Sequence, residues 1–487
     1  MKRYLLTLIV LVTLLSGLLV TTTRVAHADT SSCITPNGTN VLQGTLGGAN
    51  YTIAVPSNWN GTLVLYSHGY VFPNQPLLYP APDVGTVPTI PPVSDTLTEA
   101  ALLQQGYALA GSSYSQNGWA LQQAFHDQIA LLNLFDTTCG TPTRTIAWGH
   151  SEGGIISAGL VQLFPDRFAG ALPMCGALSG GIGTWNQALD SAFAFKALLA
   201  GNAPLSIVHI TDPTSSFTLA QQLLAQAQSS LEGRARLALV AALSDIPGWS
   251  DPASPEPAST DFKTQEQNQI PWLSHDFAYA FLARAELEAR AGGNPSWNVG
   301  VDYTRQLAHS SDRDEVIALY QQAGLNLTQD LQALQSASRI VADPPAVAYL
   351  NSYITLNGNL NIPVLTMHTT GDGLEPPEEE RAYASVVQSS GDTSLLRQVF
   401  VHRAGHCTFT PAETLTAFQT LIQRLDTGRW EDATNPDVMN QEAAALGPNL
   451  NVLPEPFPTG TLTSTPPAFL NFQPTLFLRP FPSNGSQ

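Results

Sequence analysis

Thr145-Ile146-Ala147-Trp148-Gly149-His150-Ser151-Glu152-Gly153-Gly154 is the stretch on which the reading of this chain turns. Arg144–Trp148 has the short apolar run of a buried strand. Glu152–Phe164 reads as a helix stopped by Pro165. Between the two lies a G-x-S-x-G pattern. In a chain with 37 glycines such a pattern arises by chance, so its setting has to support it. The setting does so, with a strand before and a helix after. A serine presented on a strained strand-to-helix turn needs small neighbours on both sides. The helix N-terminus beneath it directs free N–H groups at developing negative charge.

Outward from this turn the chain alternates. Val41–Leu46, Tyr51–Pro56 and Thr62–Ser67 read as strands, the last two separated by the turn residues Ser57-Asn58-Trp59-Asn60-Gly61. Ser94–Gln105 reads as helix and Tyr107–Ser113 as strand. Trp119–Phe135 is a helix with Leu121, Phe125, Ile129 and Leu132 on one face, and Phe168–Cys175 is the next strand. Strands alternating with helices imply right-handed crossovers and a mainly parallel sheet. From Gly176 the alternation stops, and residues 178–345 read as helices, for example Leu219–Leu243 and Asp276–Arg290. It resumes with strand Pro363–His368, helix Pro377–Gln388, strand Leu395–Val401 and helix Ala412–Arg424. A helical block that interrupts such an alternation reads as an inserted cap, because the later strands need the earlier sheet. The expected division is therefore a signal peptide at 1–28, a core at 29–177 and 346–430, a helical cap at 178–345 and a Pro-rich extension at 431–487. That extension should be extended or wrapped over the surface. Val71–Asp95, with seven prolines, should be a long loop.

Composition narrows the function classes. The 487 residues are 43% hydrophobic and only 12% charged, about half the usual quarter. The formal charge is −18, and no run of Lys or Arg forms a basic stripe, which excludes nucleic acid as the expected partner. Lys2 and Arg3 precede an apolar run from Tyr4 to Val20, and Ala26-His27-Ala28 is an A-x-A site. These are the parts of a signal peptide cleaved after Ala28, so the mature protein is expected to be secreted. No later run reaches 18 apolar residues, so no stable membrane anchor is expected. The four cysteines, Cys33, Cys139, Cys175 and Cys407, form an even set in an exported chain and favour two disulfides among three connectivities. No Cys or His spacing has the pattern of a metal site.

With the serine turn after the fifth strand, the chain resembles the α/β-hydrolase superfamily over about 40–178 and 345–430. The resemblance implies an α/β fold, a mainly parallel sheet with flanking helices, here with a large helical cap inserted after the sixth strand. It also implies a nucleophile, an acid and a histidine in that chain order. Thr369-Thr370-Gly371-Asp372-Gly373 follows a late strand, and Arg403-Ala404-Gly405-His406-Cys407 follows the last. The implied triad is thus Ser151, Asp372 and His406. His406 would take the proton of Ser151 and pass it to the leaving group, while Asp372 holds the imidazole tautomer. Glu375 and His402 are the competing acid and base. The end of the sixth strand, Met174-Cys175-Gly176-Ala177-Leu178, has no carboxylate, which favours Asp372. His68-Gly69-Tyr70 ends the third strand where the family places an oxyanion turn, so the amides of Tyr70 and Glu152 are the implied donors.

Further residues are weaker candidates. Tyr114 and Trp119, just after the fourth strand, could line an acyl pocket or serve as packing. Trp272, Phe277, Tyr279 and Phe281 have the helical spacing of cap core residues, and His368 ends the strand before Asp372. Cys407 follows His406, and Cys175 ends the strand after the nucleophile helix, which puts both on one edge of the sheet. A 175–407 bridge would leave Cys33 with Cys139; packing as buried thiols is the alternative.

The implied activity is that of a secreted serine hydrolase acting on carboxylic esters, small or polymeric, through an acyl-enzyme without metal or organic cofactor. A large cap and a cysteine beside the histidine are similar to tannase and feruloyl-esterase-type enzymes, although here no cysteine adjoins Ser151. Two rival expectations are a prolyl-oligopeptidase-type peptidase and a hydrolase-fold binding protein without catalysis. The first usually carries a β-propeller ahead of the core, whereas this core begins near residue 41. The second generally lacks a triad member, and here none is missing.

Overall fold

The computed structural model describes residues 33–75, 92–454 and 462–479. The expected signal peptide and most of the Pro-rich 71–95 segment lie outside the described residues. Nine strands build one sheet. β1 (Thr39–Leu46) and β2 (Ala49–Pro56) form an antiparallel hairpin at its edge. β3 (Thr62–Ser67), β4 (Ala108–Ser112), β5 (Arg144–His150), β6 (Gly170–Met174), β7 (Val364–Gly371) and β8 (Leu396–Ala404) run parallel to one another. β9 (Val452–Pro454) and β10 (Leu462–Ser464) pair as a separate ribbon, and β11 (Phe469–Leu470) adds antiparallel to β8. The spatial order is β1-β2-β4-β3-β5-β6-β7-β8-β11, and β2 meets β4 antiparallel.

The central strands carry side chains that are buried on both faces, as a parallel sheet covered by helices requires. Leu63 and Leu65 of β3 pack on one face, with helices Leu121–Cys139 and Glu152–Leu163. Val64 and Tyr66 pack on the other, with helices Pro92–Gln104 and Pro411–Thr427. The last of these starts on a capping box, in which Thr410 accepts from the Glu413 amide and Glu413 accepts from the Thr410 amide.

Between β6 and β7 the chain leaves the sheet and folds as helices from Gly180 to Ser352 around a core of its own, which includes Phe195, Phe277, Phe281 and Tyr303. The expected helix Leu219–Leu243 is two helices, Pro213–Ala227 and Leu231–Ala242. Ser230 caps the second by accepting from the Gly233 amide, and this local bond breaks a periodicity that otherwise continues. The expected helix Asp276–Arg290 is the end of a longer one that starts at Phe262 and widens into a π-turn at Ala278–Ala283 before ending at Ala291.

The tail after Trp430 does more than wrap. It contains helix Pro436–Ala445 and adds β11 to the sheet; a two-residue strand at an edge tolerates the prolines around it. Its last described residues then tie cap to core. Arg479 pairs with the buried Asp190 of the cap at 2.5 Å, while Thr475 donates to Glu378 and Arg381 to the Pro474 carbonyl. Among the described residues no helix is long and apolar enough to cross a membrane.

Candidate active site

Ser151 occupies the turn from β5 into helix Glu152–Leu163 at φ +58° and ψ −126°, a backbone state that L-residues seldom adopt. Its amide is held by the Met174 carbonyl of β6 at 3.0 Å. The glycines around it are required by contact. A Cβ on Gly149 would lie 2.2 Å from the Gly153 carbonyl oxygen, and one on Gly153 would lie 2.0 Å from that of Ser67. The helix therefore presses onto the strand ends, and the serine, itself nearly buried, stands at the turn above.

The carboxylate and the histidine follow β7 and β8, beyond the neighbouring strand β6. Asp372 follows β7 and is fully buried; its Oδ1 accepts from the amides of Leu374 and Glu375 at 3.0 and 3.1 Å. Its Oδ2 lies 2.7 Å from His406 Nδ1. Burial alone would raise this carboxyl, but His406 and His368 more than offset that and hold it at about 2. The histidine loop after β8 is fixed to the same strand end. Gly405, at φ +102°, donates to the Gly371 carbonyl at 3.0 Å and accepts from Thr369 Oγ1 at 2.6 Å.

The described residues contain two disulfides, Cys33–Cys139 and Cys175–Cys407, the latter with its Cα atoms 5.3 Å apart. Cys407 Sγ lies 3.4 Å from His406 Nε2. The ligand atoms of Cys175, His406 and Cys407 lie within 4.8 Å of one another, but both sulfurs are oxidised and supply no thiolate to a metal. Among the described residues no hydrogen bond joins Ser151 to His406. The two share one edge of the sheet, and His150, the neighbour of the serine, still senses the charge of His406. Burial, then that charge, pushes His150 down to about 3, so it is neutral.

Ser151 opens into a cleft under the cap, walled by Tyr70, Trp119, Trp185 and Tyr279. Trp119 and Trp185 meet edge-to-face at 5.4 Å, as do Tyr70 and Tyr279. Two buried donors in this wall, Tyr70 Oη and Trp185 Nε1, have no hydrogen-bond partner among the described residues. The Glu152 carboxyl lies in the same cleft and accepts from the Ala120 amide at 3.1 Å; burial and then Glu286 push it well above the usual carboxylate range. The Tyr70 amide, past the end of β3, donates to no backbone carbonyl among the described residues. The Glu152 amide stands in the first turn of its helix, where no intrahelical acceptor exists.

Some expected residues fall elsewhere. Tyr114 does not line the cleft. It follows β4 at φ +55°, which turns its ring onto His68 at 4.0 Å and its hydroxyl onto the His68 carbonyl at 3.1 Å. His402 points to the surface and bonds Glu256 at 2.8 Å, and Glu375 is buried without touching His406. Trp272, Phe277 and Phe281 are core residues, whereas Tyr279, in the π-turn, faces the cleft. Trp185 was not legible as a site residue, since nothing in its local pattern marks the one helix face that meets Ser151.

A doubly wound order with a strained serine after β5, and an acid–histidine pair after β7 and β8, defines a hydrolase-type enzyme of the α/β-hydrolase fold. Across 433 residues the chain is 29% identical to the o-phthalyl amidase of Xanthobacter agilis, a span covering 82% of this chain and 89% of that one. Among solved structures it is similar to feruloyl esterase B from Aspergillus oryzae, at 15% identity and a TM-score of 0.35 over 80% of each chain. It is also similar to an esterase from Aspergillus oryzae, at 14% identity and a TM-score of 0.38, over 80% of this chain and 79% of that one. No family model matches the chain.

Proposed function

We propose that the protein is a secreted serine hydrolase that cleaves carboxylic esters through an acyl-enzyme. The observation that carries this reading is the pairing of the buried Asp372 with His406 on the sheet edge that presents Ser151. Ser151 Oγ attacks the ester carbonyl carbon while His406 Nε2 takes its proton. The oxyanion is met by the amides of Tyr70 and Glu152. Collapse of the adduct breaks the bond to the alcohol, which leaves with the proton from His406. Water, deprotonated by the same imidazole, then releases the acid. Asp372 accepts from Nδ1, so Nε2 is the nitrogen free to act as base. Closing the Ser151–His406 bond on substrate binding is ordinary for such sites. The aromatic walls favour a planar group next to the carbonyl, and the free Tyr70 and Trp185 donors favour acceptor atoms on it. Two disulfides accord with an oxidising destination.

An amide substrate is the second reading, supported by the relative described as an amidase. One experiment addresses both. A fluorophosphonate probe should label the wild-type protein and not Ser151→Ala, and this variant should lose about 10⁴-fold or more in rate. Matched nitrophenyl esters and nitroanilides of one aromatic acid then compare the two bonds. Unlabelled wild-type protein would remove Ser151 from the nucleophile role, and anilide turnover equal to ester turnover would favour the amide reading.

A further inference from the structure

Beneath the Asp372–His406 pair lies a second histidine that the reaction above does not use. His368, in β7, is fully buried, and both its ring nitrogens face oxygen acceptors. Nε2 is 2.7 Å from the Glu375 carbonyl oxygen, and a carbonyl can only accept. Nε2 is also 3.5 Å from Asp372 Oδ2, the oxygen that holds His406. Nδ1 is 3.1 Å from Glu380 Oε1. The other oxygen of Glu380 accepts from Thr366 Oγ1 and Gln398 Nε2, both at 2.5 Å. A neutral imidazole has one N–H, and this site asks for two.

We infer that His368 is a positioning residue held as a buried imidazolium, bridging the carboxylates of Asp372 and Glu380 and thereby setting the charge that Asp372 presents to His406. The inference rests on the Ser151–His406–Asp372 reading. Every neighbouring element contributes to the balance. Asp372 and Glu375 come from the loop after β7. Glu378, Glu379 and Glu380 come from helix Glu378–Ser390, and His406 comes from the loop after β8. From β8 the uncharged Gln398 reaches Glu380, while its Arg403 pairs with Glu413, its His402 with Glu256 and its Arg397 with a backbone carbonyl; β6 ends in the disulfide-bonded Cys175. Burial opposes the charge on His368, but Asp372 and Glu380 outweigh it and raise the ring to about 10. The geometry asks for the same state, since each ring nitrogen has an oxygen acceptor to donate to.

This makes Asp372 a shared anion. Its charge is divided between a permanent cation below and the histidine base above, so His406 gains less proton affinity from it than from an unshared carboxylate. Loss of the lower cation should make His406 more basic and move the acid limb of the rate profile to higher pH.

The experiment uses the intact protein labelled with ¹⁵N-histidine, followed by NMR across pH 6 to 9. One imidazole should keep both ring nitrogens protonated throughout, with N–H protons slow to exchange. In His368→Gln, which removes the cation, the acid limb of kcat/KM should rise by about half a unit or more, about threefold in proton affinity, whereas in Glu380→Gln, which leaves the imidazolium to Asp372 alone, it should stay or fall. The Glu380 variant separates charge from packing, since it disturbs the same buried cluster while leaving the cation in place. An imidazole spectrum with no such doubly protonated ring in wild-type protein overturns the inference even where both variants fail to fold. So does an acid limb that fails to rise in folded His368→Gln, or that rises equally in Glu380→Gln. Failure of the triad reading is seen separately, as absent fluorophosphonate labelling of the wild type, and the NMR result does not depend on it.

Discussion

Asp372 is the residue on which the site's electrostatics converge. Its carboxyl is held at about 2 against burial, while an unfolded aspartate titrates near 3.9. A depressed carboxyl contributes stability that is present above its unfolded value and lost as pH falls through its folded one. The wild-type melting temperature should therefore fall between about pH 4 and 2 more steeply than that of Asp372→Asn, as followed by circular dichroism. Equal slopes would mean that Asp372 is not held by the histidines. At this scale the positions of Ser151, Asp372 and His406 at strand ends were legible because each sits in a short local pattern. Which of its two readings Tyr114 takes, packing rather than pocket lining, depends on one left-handed backbone turn that sets its ring direction and that composition does not reveal. His368 lay in plain view, but its charge follows from two carboxylates brought to it by folding.

Among the elements, the turn from β5 into helix Glu152–Leu163 is the most constrained. Gly153 lies where the helix meets the end of β3, and any Cβ there meets backbone rather than a movable side chain. Gly153→Ala should therefore cost about 3 kcal/mol in urea unfolding, at the upper end for overpacking, and should lower turnover further by displacing Ser151. Unfolding at the wild-type urea midpoint would contradict this contact. Strand positions were read closely from apolar runs, since a strand buried on both faces advertises itself. Helix boundaries within the cap were not, because the Ser230 cap and the π-turn at Ala278–Ala283 follow from single bonds and packing rather than from periodicity.

In the molecule as a whole, two long-range ties join segments distant in sequence. The Cys175–Cys407 bridge spans 232 residues and fastens the histidine loop to β6, whose Met174 carbonyl anchors Ser151. The double variant Cys175→Ser/Cys407→Ser should lose about 2–5 kcal/mol of stability. It should also lose more in kcat than in KM, because His406 regains orientational freedom while the cleft walls remain. Kinetics unchanged at a temperature where the variant is folded would make the bridge purely structural. The second tie is the tail, which threads from β11 to Arg479 and reaches Asp190 in the cap.

What the sequence by itself determined is the scaffold and the strand-end turn that carries Ser151. Alternating strand and helix periods specify a parallel sheet, the break at Gly176 marks the helical insertion, and glycines around Ser151 mark a turn that only small residues permit. These are local properties, written in neighbouring residues. Only the tertiary structure decided which cap side chains face Ser151, that the tail supplies a ninth strand, and that His368 lies between Asp372 and Glu380. Those outcomes depend on contacts between segments far apart in the chain, where two carboxylates gathered around a buried imidazole favour its cation against the cost of burial, and packing leaves aromatic donors without partners.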